Sequence, residues 1–210
     1  MADFSDWNKK FKEEVEETAS DDILQSKTKR RKTECLKRTD ANIYRKAYSE
    51  TQLLDALGFE FKNGESYHCI TAGDVDSLSY LKCVLRQQNL SYCLLSTWCM
   101  AGDDILQIEE WLEQGKIKKF DAYLGEVFPG SYKMEYKKIK EVFEKYNCGR
   151  IAIFRNHSKI YAGVGDKFAF GIETSANINT NPRTENGCLT IGNDIFNFYK
   201  DYFDKIISFE

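Results

Sequence analysis

An alternation of strand-like and helical patterns between residues 66 and 146 constrains the fold more than any other feature of the chain. Three apolar runs have the length of strands, SYHCITAG (66–73), LSYCLLSTW (90–98) and KKFDAYLGEVF (118–128). The second is apolar almost throughout, which is typical of a strand buried on both faces. A segment with apolar residues at helical spacing follows each run. This order of strands and helices predicts an α/β sandwich.

The three helical segments are recognised by their apolar positions. The first two begin at aspartates that can cap a helix, and the third follows a break at Pro129 and Gly130. Their inward-facing residues are Val75, Leu78, Leu81 and Leu85 in the first, Ile105, Ile108, Trp111 and Leu112 in the second, and Met134, Ile139, Val142, Phe143 and Tyr146 in the third.

The remainder of the chain adds closely spaced strands and a final helix. The strand-like runs are RIAIF, KIYAG, FAFGIE and CLTIG, and the amphipathic, aromatic-rich segment IFNFYKDYFDKIISF is predicted to be helical. Several strands in close succession after a βαβαβα series predict a mixed central sheet flanked by helices. The sequence contains no internal repeat.

Residues 1–50 differ in composition from residues 51–210 and are predicted to form a helical or partly ordered arm before the main domain. The arm contains no glycine and carries a basic segment at 27–46, with Lys29, Arg30, Arg31 and Lys32 adjacent to one another. Such a segment can bind nucleic acid by neutralising phosphates and releasing counterions. A solvated linker or a helix that binds a protein partner has the same composition, so the charge alone does not decide between them.

The overall composition favours a reduced, water-soluble protein. No run approaches the roughly 18 consecutive apolar residues of a membrane span, and the N-terminus lacks the apolar region of a secretion signal. The seven cysteines are scattered without a CxxC pair, and only two histidines are present to complete a zinc site. We therefore expect a cytoplasmic location, buried thiols, no membrane partner and no metal or other cofactor.

One histidine and several polar residues form a cluster of functional groups near the C-terminal end. His157 and Lys159 are followed by Ser175, Asn177 and Glu185. This pattern resembles the HxK…SxN…E signature of the phospholipase D superfamily, in particular its single-motif nuclease branch. The resemblance covers about residues 60–207. It implies a phospholipase D-like fold in which a strand ends at the histidine, a strand runs through the lysine, and the next delivers the serine and asparagine.

The resemblance implies a role for each residue of the cluster. A phosphodiester repels anionic nucleophiles, so a neutral imidazole is a suitable attacker, and His157 would form a phosphohistidine. The charge of Lys159 and the donors of Ser175 and Asn177 would stabilise the non-bridging oxygens. Glu185 would orient a catalytic histidine. The lysine and the amide would take the electrostatic role that Mg²⁺ plays in other phosphodiesterases.

A single motif leaves one catalytic group missing, because the leaving oxygen must be protonated by an acid opposite the nucleophile. The other histidine, His68, lies in an apolar strand-like run without a companion lysine, and we expect it to be a core or edge residue. The resemblance therefore implies a two-fold homodimer with the site at the interface, each chain lending its His157.

The residues also allow a purely structural interpretation. His157 and Lys159 could alternate on an edge strand and both face solvent, Asn177 could form a turn, and Glu185 could be a surface charge. Taken together, their spacing and the order of elements favour a site.

The leading hypothesis is a metal-independent nuclease acting on DNA or RNA, because the basic arm favours nucleic acid over lipid. A second hypothesis is a catalytically inactive nucleic-acid-binding or assembly protein of phage or mobile-element type. It draws on Val164, which stands where the family often has an aspartate. A lipid phosphodiesterase or phosphatidyl transferase is a third candidate, disfavoured because the sequence shows no apolar entry surface.

Overall fold

The computed structural model of the protein describes residues 42–47, 49–58, 60–73, 75–178 and 183–209. The described residues belong to a compact unit that runs from Arg38 to Glu210. The basic residues Lys29, Arg30, Arg31 and Lys32 lie outside the described residues, so the functions predicted for them stay predictions.

The described strands form one eight-stranded mixed sheet in the order β1-β2-β8-β7-β6-β3-β4-β5. Strand β1 pairs with β2 in parallel, as do β3, β4 and β5 with one another, whereas every pairing made by β6, β7 or β8 is antiparallel. The strands are β1 (Asn42–Ala47), β2 (Ser66–Thr71), β3 (Leu90–Thr97), β4 (Phe120–Gly125), β5 (Ile151–Phe154), β6 (Ile160–Gly165), β7 (Ala169–Thr174) and β8 (Glu185–Ile191).

Six helices are found within the described residues, and most of them connect successive strands. They are α1 (Glu50–Leu57), α2 (Ser77–Leu85), α3 (Gly102–Glu113), α4 (Phe128–Ser131), α5 (Lys133–Tyr146) and α6 (Asn193–Asp204). Helix α2 begins at the expected cap, because the carboxylate of Asp76 accepts a hydrogen bond from the backbone N–H of Ser79 at 2.9 Å.

The sheet is covered by helices on both faces, and each face has its own hydrophobic core. The larger core gathers buried residues of α2, α3 and α5, including Leu81, Ile108 and Ile139, while the smaller one is built around α6. Strand β3 belongs to both, because Leu95 points into the larger core and Leu94 into the smaller. Burying each leucine side chain contributes about 1.5–3 kcal/mol, which explains why this strand is apolar on both faces.

The directions of the strands bring many connections to one edge of the sheet, which we call the carboxyl edge. Relative to β3, strands β1, β2, β4, β5 and β7 run the same way, and β6 and β8 run in the opposite direction. The last residues of six strands therefore meet the first residues of β6 and β8 along this edge. In α/β sheets ligands bind at such an edge.

The predicted α/β sandwich with a mixed sheet flanked by helices is confirmed, with local differences. Met134, predicted to face inward, is 75% exposed. Pro129 and Gly130 do not break the chain but lie in α4, where the proline occupies a position at the start of the helix that needs no N–H donor. Strand β1 belongs to the sheet although it precedes residue 50, so the sheet begins earlier than the sequence pattern indicates.

Among the described helices, none combines the length and the apolar character that a bilayer crossing requires.

Candidate active site

His157 and Lys159 form a close pair at the carboxyl edge, in the connection between β5 and β6. The ammonium nitrogen of Lys159 lies 2.9 Å from Nδ1 and 3.5 Å from Nε2 of the imidazole, and it donates to the backbone carbonyl of His157 at 2.7 Å. His157 is exposed, whereas Lys159 is only 7% exposed. A ligand can therefore reach the imidazole from solvent while the cation supports it from within the protein.

The expected placement of these two residues on strands was wrong. Strand β5 ends at Phe154 and β6 begins at Ile160, so the whole His-Ser-Lys segment is irregular. The reason is local hydrogen bonding, since the backbone N–H of Ser158 donates to the side chain of Asn156 at 3.0 Å rather than to a neighbouring strand.

Burial sets the electrostatics of Lys159. Its pKa is lowered mainly because desolvation penalises the charged ammonium, while Cys99 and Glu185 act in the opposite direction. Cys99 is itself buried, and its thiol pKa is raised by burial in spite of the opposing effects of Tyr132 and Lys159. Both the Cys99 thiol and the Glu185 carboxylate thus favour the charged form of Lys159.

Hydrogen bonds of Ser175 and Glu185 join the end of β7 to the start of β8. The backbone N–H of Ser175 donates to the carbonyl of Asn186 at 2.9 Å, and the N–H of Asn186 donates to the hydroxyl oxygen of Ser175 at 3.0 Å. The Ser175 hydroxyl in turn donates to the Glu185 carboxylate. Within the described part of the chain, the recorded hydrogen-bond partner of this carboxylate is therefore Ser175 and not the imidazole of His157.

Asn177 is held by the N-termini of two helices. Its backbone carbonyl accepts from the N–H of Ser77, the first residue of α2, at 3.4 Å, and the next carbonyl, of Ile178, accepts from Ala101 before α3 at 3.0 Å. N–H groups that a helix cannot satisfy internally thus fix the backbone around the asparagine. Its side-chain Oδ1 is buried without a hydrogen-bond partner.

One backbone hydrogen bond joins the two halves of the motif. The N–H of Thr174 donates to the carbonyl of Lys159 at 3.1 Å, so the end of β7 lies beside the start of β6. The structure therefore brings His157, Lys159, Ser175, Asn177 and Glu185 to the same edge of the sheet.

His68 lies elsewhere. It occupies the middle of β2, three residues before the strand ends, opposite Cys188 of β8, with Nε2 at 3.9 Å from the thiol sulfur. The structure does not bring it to the His157–Lys159 pair.

Sequence reasoning missed two residues next to the imidazole, Asn156 and Trp98. The ring of Trp98 lies 5.5 Å from that of His157 between centroids, and a methyl group at Gly125 would lie 2.8 Å from the indole Cδ1. Asn156 is almost fully buried. No pattern in the sequence around Arg155-Asn156-His157 marks Asn156 as a residue of the site. Gly125, the last residue of β4, does indicate that another group approaches the strand closely.

Two other features of the described residues are separate from this site. A cavity of about 370 Å³, lined by Glu50, Lys82, Arg86 and Trp111 among others, lies at the C-terminal halves of α2 and α3 rather than at their N-termini. No group of three or more His, Cys, Asp or Glu side chains in the described ranges is placed to hold a metal ion.

Comparisons with known proteins give structural matches only. No family model matches the chain, and no curated protein sequence matches it. Polyphosphate kinase from Porphyromonas gingivalis is similar with a TM-score of 0.50 and 12% identity, over 66% of this chain and 25% of the kinase. Phosphatidylserine synthase from Haemophilus influenzae is similar with a TM-score of 0.49 and 14% identity, over 67% of this chain and 37% of the synthase.

The likeness to the polyphosphate kinase shows the fold alone, an α/β sandwich built on a mixed sheet. The chain spans about a quarter of the length of that kinase. The activity must therefore be argued from the site.

Proposed function

We propose that the protein is a metal-independent phosphodiesterase that cleaves nucleic acid through a phosphohistidine. The observation that carries this proposal is the His157–Lys159 pair, an exposed imidazole with a buried ammonium 2.9 Å from its Nδ1. An ammonium group in a low-dielectric environment attracts a phosphoryl oxyanion more strongly than an ammonium group in water does.

Asn177 and Ser175 supply further hydrogen-bonding groups. Because Oδ1 of Asn177 is the buried end of the amide, an anion entering from solvent meets the amide nitrogen, which is a donor. The hydroxyl of Ser175 is engaged by Glu185 and can reorient toward a phosphate oxygen when substrate is bound. These donors favour the transition state, where negative charge on the non-bridging oxygens is concentrated.

The reaction proceeds in two displacements. A ring nitrogen of His157 forms a bond to phosphorus while the bond from phosphorus to the leaving oxygen breaks, and an acid on the opposite side protonates that oxygen. Water then attacks phosphorus, the P–N bond breaks, and the same acid, now a base, takes the proton of the water. In the proposed homodimer the histidine of the second copy is this acid and base.

The assay that tests the proposal is cleavage of single- and double-stranded DNA and RNA in EDTA. We expect cleavage to persist in the chelator and His157→Ala to lower kcat by about 1,000-fold or more, because it removes the nucleophile. His68→Gln is the control, since His68 lies in the middle of β2, and it should cleave as the wild type does. Equal rates for His157→Ala and wild type, or loss of wild-type activity in EDTA, would exclude this mechanism.

A second candidate function keeps the fold without turnover. Val164, at the position where the family often has an aspartate, lies in β6 opposite Ala169 of β7 and is partly buried against the smaller core. Although a valine stands at this position, both groups of the His157–Lys159 pair are present and in contact. A nucleic-acid-binding or assembly protein is favoured if binding is tight and salt-dependent but no product forms.

A further inference from the structure

Asn156, the residue before His157, is buried and its side chain is fully hydrogen-bonded. It is 7% exposed. Its Nδ2 donates to the hydroxyl oxygen of Ser96 at 2.9 Å and to the carbonyls of Tyr123 and Thr97 at 3.0 and 3.2 Å. These acceptors lie near the ends of β3 and β4, so one amide group ties two neighbouring parallel strands to the connection that carries the histidine.

The other end of the amide binds the residue between the histidine and the lysine. Oδ1 of Asn156 accepts from the backbone N–H and from the hydroxyl of Ser158, at 3.0 and 2.7 Å. The Ser158 hydroxyl also lies 2.6 Å from that of Ser96, which closes a ring of three side chains. The backbone N–H of Asn156 donates to the carboxylate of Glu126 at 3.2 Å. A buried network in which every member is satisfied is rigid.

We infer that Asn156 is the positioning residue of this site and that it fixes His157 and Lys159 relative to the sheet. This inference rests on the proposed function for its kinetic consequence. Asn156 and Ser158 flank His157 on both sides along the chain and hold the irregular segment where no strand pairing does so. The network therefore sets the direction in which the imidazole leaves the backbone.

The chemistry of the network requires an amide at position 156. Nδ2 faces three oxygens that accept hydrogen bonds, and a carboxylate in its place would face them with another acceptor. The isosteric change Asn156→Asp thus keeps the shape and replaces attraction with repulsion in a buried place. It is expected to shift the His-Ser-Lys segment without creating a cavity.

Gln88→Glu is a matched control. Gln88 is also 7% exposed, donates through Nε2 to the carbonyl of Phe168 at 2.9 Å, and accepts from the N–H groups of Lys167 and Phe168. It lies between α2 and β3 and its side chain contacts the turn between β6 and β7, on the edge of the sheet opposite the site. The same amide-to-carboxylate change is therefore made in an equally buried place far from His157.

The test measures kinetics and histidine NMR on the full chain. For Asn156→Asp we expect kcat to fall about 100-fold with little change in KM, because the His-Ser-Lys segment is misplaced while the phosphate donors of Ser175 and Asn177, after β7, remain. The chain has only two histidines, so the imidazole resonance of His157 can be assigned with His157→Ala. Its chemical shift should change in Asn156→Asp and not in Gln88→Glu.

The two arms separate failure of this inference from failure of the proposed function. If the wild type cleaves no phosphodiester but the His157 resonance moves only in Asn156→Asp, the positioning role stands and the nuclease proposal fails. If the folded Asn156→Asp variant keeps the wild-type His157 resonance, or if both variants shift it equally, the positioning role is excluded whatever the activity.

Discussion

Lys159 shows at the scale of one residue how a functional group can weaken the fold that holds it. Desolvation lowers its pKa in the folded protein from the ordinary value of 10.5. Between the lowered value and 10.5 the unfolded chain binds more protons than the folded one, so the free energy of unfolding rises with pH across this window. At neutral pH the lysine is charged in both states and its burial is a cost.

We therefore predict that Lys159→Met abolishes cleavage without lowering stability at pH 7. Wild type should gain stability relative to this variant as the pH is raised toward about 10, since only wild type can release the buried charge. Urea unfolding of both proteins across this range measures the difference. Lys167→Met, at an exposed position on the opposite edge, is the control and should show no such trend. If wild type does not gain stability relative to Lys159→Met as the pH rises, the assignment is contradicted.

At Gly125 the structure leaves no space for a side chain. A Cβ there would lie 2.8 Å from the indole of Trp98 and 3.1 Å from the carbonyl of Asn156. We predict that Gly125→Ala lowers the free energy of unfolding by about 1–3 kcal/mol through overpacking, and that it reduces kcat because Trp98 and Asn156 both adjoin His157. Gly130→Ala is the control, since nothing lies within 4 Å of its added Cβ. Chemical denaturation and the cleavage assay measure the two effects, and equal behaviour of the two variants would exclude the predicted clash.

At the scale of elements, the end of α6 is fastened by a single arginine before β5. Nη2 of Arg150 donates to the carbonyl of Phe203 and the hydroxyl of Tyr123, both at 2.8 Å, and more weakly to the carbonyl of Asp204 at 3.4 Å. These carbonyls belong to the last turn of the helix, which has no internal donors for them and carries a partial negative charge.

We predict that Arg150→Met lowers the free energy of unfolding by about 1 kcal/mol, a value reduced from that of a buried charged hydrogen bond because the arginine is largely exposed. Arg155→Met, at an exposed position just after the same strand, provides the comparison and should leave stability unchanged. Hydrogen exchange of the α6 amides should increase only in Arg150→Met. An equal increase in hydrogen exchange at amides throughout the chain would instead indicate global destabilisation.

The sequence predicts some strands of the sheet better than others, depending on whether their burial and hydrogen-bond partners can be inferred from local pattern. The continuous apolar run around Leu94 and Leu95 predicts β3, because a strand that is buried on both faces needs apolar residues at successive positions. The His-Ser-Lys segment reads as a strand by its alternation, yet the side chain of Asn156 takes the hydrogen bonds that a neighbouring strand would have made. Strand β1 lies in a charged stretch, and only its parallel pairing with β2 marks it as part of the sheet.

The same reasoning explains what the sequence could predict of the candidate site. The types and spacing of His157, Lys159, Ser175, Asn177 and Glu185 identify it, and the direction of the strands gathers them at one edge. The contacts that hold the backbone of Asn177 and Ile178, made by N–H groups at the N-termini of α2 and α3, join residues about 80 to 100 positions apart. No local pattern records such contacts, so the supporting part of the site required the structure.

At the scale of the whole molecule, the proposed mechanism makes one copy of the chain insufficient. His157 is the nucleophile, His68 lies in the middle of β2, and the second displacement needs a separate acid and base. If two chains complete each site, the particle is a dimer at working concentrations, and a dimer with a single intact His157 is inactive. Sedimentation measures the first consequence and subunit mixing the second.

The mixing experiment combines wild type with an equal amount of His157→Ala under conditions that allow subunits to exchange. Random pairing leaves about one quarter of the dimers with two intact histidines, so the activity per total chain should fall to about one quarter of that of wild type alone. Independent copies would instead retain about one half, since each wild-type chain would remain active. His68→Gln in place of His157→Ala should leave the activity undiminished, because both partners then keep the nucleophile and the acid. A retained half in the first mixture, or a particle of one chain that cleaves at the full rate, would exclude the shared site and require an acid from within a single copy.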